Sequence, residues 1–200
     1  YDGAVGALHP ACGDVDGEGL DEVVLGLGTY TPLGGWVVVM RDHSGRFEVL
    51  RWVRMPWAAY NAANGAVFPA CGDIDGDGRD ELILGTGAFP RNGSFLAVLD
   101  DAAANFALLG WIRAGFATYN STVGETHPAC GDVDGDGLDE VVIGLSQGGA
   151  GVAQVRDDRR RGWATIGTLA WPDSAYRHAS GETWPACVDL NRNGSADIVL

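Results

Sequence analysis

The sequence predicts an all-β chain organised as a β-propeller. Blades of four antiparallel strands, about 59 residues per repeat, give three full blades plus the first half of a fourth. Two observations lead there. A twenty-residue stretch recurs as HPACGDVDGEGLDEVVLGLG (His9 to Gly28), FPACGDIDGDGRDELILGTG (Phe68 to Gly87) and HPACGDVDGDGLDEVVIGLS (His127 to Ser146), then in shortened form as WPACVDLNRNGSADIVL (Trp184 to Leu200). The cysteines inside it, Cys12, Cys71, Cys130 and Cys187, are 59, 59 and 57 residues apart. A period that constant decides the architecture ahead of any propensity argument. Each full period also holds four short apolar runs of strand length, with no convincing 3.6-residue repeat. A parallel β-helix uses shorter coils, and an immunoglobulin-like array uses longer, less uniform modules. Residues 1–200 then form one partial or assembling propeller, with units at approximately 1–59, 60–118, 119–175 and 176–200.

Along one unit, Tyr1, Tyr60, Tyr119 and Tyr176 mark the phase, each eight residues before the residue that precedes Pro-Ala-Cys. A short segment through Pro-Ala-Cys enters an acidic loop. The next strands begin at Glu22–Gly26, Glu81–Gly85 and Glu140–Gly144. After a Gly-rich turn come Gly35–Arg41, Ser94–Leu99 and Gly149–Arg156, and last Phe47–Val53, Phe106–Ile112 and Trp163–Leu169. Ala102–Phe106 has helical composition but occupies a hairpin position. Aromatic residues recur as well: Trp52 and Trp57, Trp111 and Phe116, Trp163 and Trp171. They read as packing between blades, which cannot bury both faces alone, or as sugar-stacking platforms at blade junctions. Trp184 stands where the other units have His9, Phe68 and His127.

The formal charge of −14 is concentrated. Of 27 acidic residues, five fall in each of the first three loops and two in the fourth. Sparse Lys and Arg form no basic footprint, so nucleic acid is not an expected partner. Arg159, Arg160 and Arg161 follow Asp157 and Asp158 and read as a solvated turn. No run approaches the roughly 20 apolar residues that span a bilayer, and no signal-peptide pattern is present. The start at Tyr1, inside the repeat, suits a mature or excised product.

The acidic loop carries the chemistry. Oxygens at its positions 1, 3, 5, 7 and 9 come from Asp14, Asp16, Glu18, the Leu20 carbonyl and Glu22 in the first copy. The second supplies Asp73, Asp75, Asp77, the Arg79 carbonyl and Glu81; the third supplies Asp132, Asp134, Asp136, the Leu138 carbonyl and Glu140. Alternate placement on a tight loop turns such oxygens to one centre, and hard oxygens without a His or Cys cluster favour Ca2+ over zinc. Four like charges so close would repel without a cation. An EF-hand would need a bidentate Glu at position 12, where Leu25, Leu84, Ile143 and Leu200 stand instead. The fourth copy, with Asp189, Asn191, Asn193, the Ser195 carbonyl and Asp197, halves the ligand charge and predicts weaker binding. Position 8 holds Asp21, Asp80 and Asp139 but Ala196 in the last copy, which assigns it a structural or supporting role.

The core Asp-x-Asp/Asn-Gly-x-Gly-x-x-Asp/Glu followed by a Val/Leu/Ile strand and Gly is met at Asp14–Gly26, Asp73–Gly85 and Asp132–Gly144. Asp189–Leu200 matches with Arg192 for the first Gly. This resembles the FG-GAP or VCBS-type repeat of integrin alpha-subunit propellers and many bacterial extracellular proteins. The resemblance implies calcium in a loop that joins adjacent blade strands, and an extracellular or cell-surface location. It also implies a non-catalytic binding or adhesion module for protein or carbohydrate, lectin-like in the second case. The alternative is an accessory propeller domain of a secreted polysaccharide- or protein-degrading enzyme. Closure would need the remaining blades from the same polypeptide or from another chain, since an open array leaves a sheet edge exposed.

Repeat phase argues against disulfides, because equivalent residues of neighbouring blades stand a blade spacing apart, beyond the roughly 7 Å limit on Cα separation. The cysteines read as small buried packing residues. Loop carboxylates committed to calcium would not serve acid–base work, and glycoside hydrolase or lyase activity is not expected of this segment.

Overall fold

The computed structural model describes residues 6–43 and 46–200, so the phase-marking Tyr1 lies outside the described residues. It is an all-β arrangement of antiparallel sheets with four, four, four and two strands. The first sheet holds β1 (Leu8–Gly13), β2 (Glu22–Leu27), β3 (Trp36–His43) and β4 (Arg46–Arg54), hydrogen-bonded in chain order. After helix α1 (Ala58–Ala63), the second sheet runs β5 (Val67–Gly72), β6 (Glu81–Thr86), β7 (Phe95–Leu99) and β8 (Leu108–Arg113). Helix α2 (Ala117–Thr122) leads to β9 (Thr126–Gly131), β10 (Glu140–Leu145), β11 (Val152–Arg156) and β12 (Thr165–Ala170). Helix α3 (Ser174–Ala179) precedes β13 (Ala186–Val188) and β14 (Asp197–Val199). Each acidic loop joins the first two strands of its sheet; the first-loop register closes at Gly13 opposite Glu22.

The helices correct the sequence reading, which found no helix. Each is six residues long, fewer than two turns, so no amphipathic period could accumulate. They hold because tertiary contacts replace propensity. The side chain of Asn61 donates to the Met55 carbonyl at 2.7 Å, and that of Asn120 to the Ala114 carbonyl at 2.7 Å. Ala102–Phe106 sits in the turn between β7 and β8, as its hairpin position required.

Strand alternation assigns each face of the second sheet to a different neighbour. Leu82, Leu84, Ala97 and Leu99 pack with Val24, Val37, Val39 and Val53 of the first sheet. Ile83, Leu96 and Val98 pack with Val141, Ile143 and Leu145 of the third. Trp57 lies in the first of these layers, 5.9 Å from Trp111 and 5.1 Å from Phe89, edge to face in both cases. Trp111 packs on this layer too, and Phe116 and Trp163 pack on the second. These four aromatics therefore serve packing, whereas Trp52 is 53% exposed and Trp171 38%.

The cysteines form no disulfide among the described residues. A Cβ on Gly13, Gly72 or Gly131 would run into the Cβ of Cys71, Cys130 or Cys187 respectively, so each cysteine packs on the glycine of the preceding unit. Burial pushes the Cys71 and Cys130 thiols well up. Cys12, with no described sheet on that side, is exposed, which corrects its reading as a buried packing residue.

Two of the phase-marking tyrosines tie their helices to the ends of two strands. Tyr60 donates to the Ala66 carbonyl and accepts from the Gly87 amide at 2.6 Å. Tyr119 repeats this with the Glu125 carbonyl and the Ser146 amide, both at 2.8 Å. Tyr60→Phe removes both bonds and leaves the Gly87 amide only its longer 3.4 Å bond to the Ala66 carbonyl. At about 0.5–1.5 kcal/mol per hydrogen bond, the expected loss is about 1–3 kcal/mol of folding stability. Urea unfolding checks it; an unchanged midpoint would contradict the assigned role.

Candidate functional site

The acidic loops wrap themselves first. Asp14 accepts from the amides of Gly17 and Gly19 at 2.8 and 2.9 Å, Asp73 from Gly76 and Gly78 at 2.7 and 3.0 Å, and Asp132 from Gly135 and Gly137 at 2.7 and 3.0 Å. These glycines all have positive φ, which the tight path requires. At position 9 the glutamate turns inward from the first residue of a strand. One oxygen of Glu81 accepts from Ile74 and Asp75 at 3.0 and 3.2 Å, and one of Glu140 from Val133 and Asp134 at 2.7 and 3.1 Å.

Side-chain oxygens of Asp14, Asp16 and Glu22 come within 4.8 Å of one another, as do those of Asp73, Asp75 and Glu81, and those of Asp132, Asp134 and Asp136. Glu140 belongs to two further groups of the same size, one with Asp134 and Asp157, the other with Asp136 and Asp158. Glu18 and Asp77, at position 5, fall outside these groups, as does every residue of the fourth loop. There Asn191 spends its amide on Asp197 at 3.1 and 3.3 Å. Leu20 and Ser195 lie at the loop tips; Leu138 is buried, and Arg79 reaches sideways.

The charge is poorly accommodated by protein alone. Burial, then repulsion from Asp16, lifts the Glu22 carboxyl to about 7. Burial, then Asp75, lifts Glu81 to about 8, and burial lifts Glu140 to about 7. Glu81 and Glu140 are fully buried, and each leaves its second oxygen, Oε1, without a hydrogen-bond partner. An orphaned buried carboxylate oxygen beside other carboxylates suits a divalent cation, or a retained proton where no cation is bound.

Position 8 has a distinct job. Asp80 accepts from the Asp14 amide at 3.0 Å and returns its own amide to the Asp14 carbonyl at 3.0 Å, so it stitches its loop to the one before. The Asp139 amide meets the Asp73 carbonyl at 2.9 Å, and that of Ala196 meets Asp132 at 2.6 Å. Ala196 keeps the backbone half of this link without the carboxylate.

The arginine turn is exposed, as its sequence reading expected, and it also pairs with the loops. Arg159 pairs with Asp75 at 2.6 Å, and Arg161 with Asp134 at 2.7 Å and Asp136 at 3.1 Å. The β11–β12 turn hangs over the second loop, held by the Arg159 amide on the Ile74 carbonyl at 3.0 Å. Asp157 and Asp158, which arrive on the same turn, were not read as functional from sequence. Their signal was present: Asp100 and Asp101 occupy the same place in the second unit.

A second feature lies where the first strands converge. His9, Phe68, His127 and Trp184, one from each unit, line a cavity with the prolines that follow them. Their rings touch in sequence: His9 to Phe68 at 4.1 Å, Phe68 to His127 at 4.9 Å, and Trp184 stacked on His127 at 3.4 Å and 8°. His127 is held by the Thr183 carbonyl and the Glu125 carboxylate, each at 3.0 Å. Trp184 remains 53% exposed.

No helix among the described residues is long and apolar enough to cross a membrane. No protein-family model matches this chain, and no curated protein sequence matches it. Solved structures do. The exotype rhamnogalacturonan lyase YesX aligns with a TM-score of 0.58 at 16% identity, over 97% of this chain and 38% of that one. A Bacillus licheniformis rhamnogalacturonan lyase, PL11, gives 0.58 at 16% identity over 97% and 40%. The rhamnogalacturonan lyase YesW gives 0.55 at 16% identity over 98% and 40%. The chain thus spans about 40% of the length of these structures, and at such identity the likeness is one of fold.

Proposed function

We propose that this chain is a segment of a calcium-braced β-propeller of the FG-GAP/VCBS type, belonging to an extracellular polysaccharide-degrading protein, in which it binds saccharide and leaves bond cleavage to other parts. The observation that carries the metal half is the orphaned Oε1 of buried Glu81 beside Asp73 and Asp75. Calcium suits the all-oxygen donor set, and extracellular calcium modules of this kind work at about 10⁻⁴–10⁻³ M. Each bound ion would turn a repulsive loop into a rigid hairpin connection.

The saccharide half rests on the likeness to rhamnogalacturonan lyases and on the aromatic mouth. These favour the accessory domain of a polysaccharide-degrading enzyme over a protein-adhesion module. Trp184 offers an indole already oriented by His127 and by the Glu182 carboxylate, which accepts from its Nε1 at 3.0 Å. A flat, half-exposed ring of that kind stacks on the apolar face of a sugar. The outer face of the first sheet, with Phe47 62% and Val49 52% exposed, suits cover by further strands of the same polypeptide or of another chain.

Calorimetric titration with rhamnogalacturonan oligosaccharides tests the reading. Binding is expected for the unaltered protein and is expected to weaken roughly tenfold in Trp184→Ala, with the melting temperature and calcium content retained. No binding, or equal binding by both proteins, would remove the saccharide assignment. Cleavage of the oligosaccharide by this chain alone would replace binding with catalysis.

A further inference from the structure

The third unit differs from the second in the charge that faces its β11–β12 turn. Asp101 and Asp158 occupy equivalent positions in the turn after the third strand. The amide of Asp101 is bonded to the Asp100 carboxylate and its Oδ1 accepts from Ala104, while Asp158 makes the same two bonds with Asp157 and Arg161. Both are buried, at 1% exposure. In the second unit the remaining oxygen of Asp101 receives Arg79, from loop position 7, at 3.0 Å. In the third unit position 7 is Leu138, and Asp158 Oδ2 has no hydrogen-bond partner. The second oxygen of Glu140 is likewise without one.

Carboxylate oxygens of Asp136, Glu140 and Asp158 lie within 4.8 Å of one another, and so do those of Asp134, Glu140 and Asp157. No corresponding group joins Glu81 to the turn of the second unit among the described residues. The second centre sets six carboxylates (Asp73, Asp75, Asp77, Glu81, Asp100, Asp101) against paired Arg79 and Arg159, a formal −4. The third sets six (Asp132, Asp134, Asp136, Glu140, Asp157, Asp158) against paired Arg161 alone, a formal −5. The guanidinium that the third unit lacks is the one that meets Asp101 in the second, so its excess charge falls at Asp158.

We propose that the third unit binds two divalent cations of the calcium class. One sits in the loop at Asp132, Asp134 and Asp136; the other sits between the loop and the β11–β12 turn, held by Glu140 and Asp158 with Asp136. This rests on the loop-calcium reading above and adds a ligand from outside the loop. Two buried carboxylates facing each other with free oxygens repel strongly unless a cation lies between them. Hard oxygen donors without nitrogen or sulfur select calcium-like ions. The second ion would pin the turn to the loop within one sheet, the task that Arg79 performs in the second unit.

Native mass spectrometry of the whole chain, with calcium as the only added divalent ion, counts bound ions directly. Asp158→Asn is expected to carry one ion fewer than the unaltered chain. Leu138→Arg, which supplies Asp158 with the guanidinium that Arg79 gives Asp101, is expected to lose one ion as well while keeping its far-ultraviolet circular dichroism. Should Asp158→Asn fail to fold, Leu138→Arg decides. Asp75→Asn, in the second loop, reports separately on the loop reading and is expected to cost an ion at that loop. If it does so while Asp158→Asn and Leu138→Arg retain the full count, the additional ion is disproved and loop binding stands. If none of the three lowers the count, both readings fall.

Discussion

Removing calcium is expected to lower the melting temperature of this chain more than any single substitution. Ligand present at about 100 times its dissociation constant stabilises the folded state by about 2.7 kcal/mol per site. Three occupied loops would supply about 8 kcal/mol, comparable with the whole stability of a typical domain, about 5–15 kcal/mol. The pH dependence gives the expectation a sign. In the ion-free protein the Glu22, Glu81 and Glu140 carboxyls are raised from 4.5 to about 7, 8 and 7. A carboxyl raised by folding binds its proton more tightly in the native state than in the unfolded one. Its contribution is therefore fully present below about pH 4.5 and is lost as pH climbs through 7 and 8. Asp80 and Asp139, each raised to about 6 with burial as the leading cause, act in the same direction at lower pH. Ion-free protein should melt at a higher temperature at pH 5.5 than at pH 8. Calcium needs the same carboxylates ionised, so the loaded protein should show the reverse order. Thermal unfolding at both pH values, with calcium and after chelation, reads the four numbers. Curves that respond to pH identically with and without calcium would exclude metal from the loops.

Much of this arrangement was legible because each unit repeats its local chemistry. The register pairing Gly13 with Glu22 is written in the loop length, and the strands fall within about two residues of the apolar runs at most ends. The Tyr60 and Tyr119 phase markers turned out to be hydrogen-bond anchors, and position 8 turned out to be a stitch between loops. What escaped was short or distant. Six-residue helices leave no periodic trace, and their Asn61 and Asn120 anchors look like ordinary surface residues in sequence. Asp157 and Asp158 lie more than fifteen residues beyond the loop they approach, and only the hairpin fold brings them back. Arg159 pairs with a residue 84 positions earlier. That last contact crosses from one sheet to the next, so a reading confined to a single unit could not foresee it.

Gly85→Ala should be the most damaging substitution, for a reason that has nothing to do with metal. The repeated glycine near the end of each loop-following strand, at Gly26, Gly85 and Gly144, marks the place where one sheet meets the next. A Cβ at Gly85 would stand 2.5 Å from the Thr126 carbonyl oxygen and 2.7 Å from Pro128 Cδ. Both belong to β9, whose backbone cannot swing aside as a long side chain could. The same strand is held to β6 by Thr126, whose hydroxyl accepts from the Thr86 amide at 3.0 Å. A methyl group therefore forces β9 outward, breaks that bond and opens the layer containing Ile83 and Val141. Overpacking of this kind costs about 1–3 kcal/mol, and rigid backbone on the far side puts this site at about 3 kcal/mol or beyond. Gly78→Ala is the matched control. Its φ of +87° is costly for alanine, but no atom lies within 4 Å of the new methyl. That substitution should cost about 1–2 kcal/mol through backbone strain alone. Denaturant unfolding of the two variants in excess calcium separates close approach from loop conformation. Equal losses would mean that the sheets can part to admit a methyl group and that close approach is not what the recurring glycine serves.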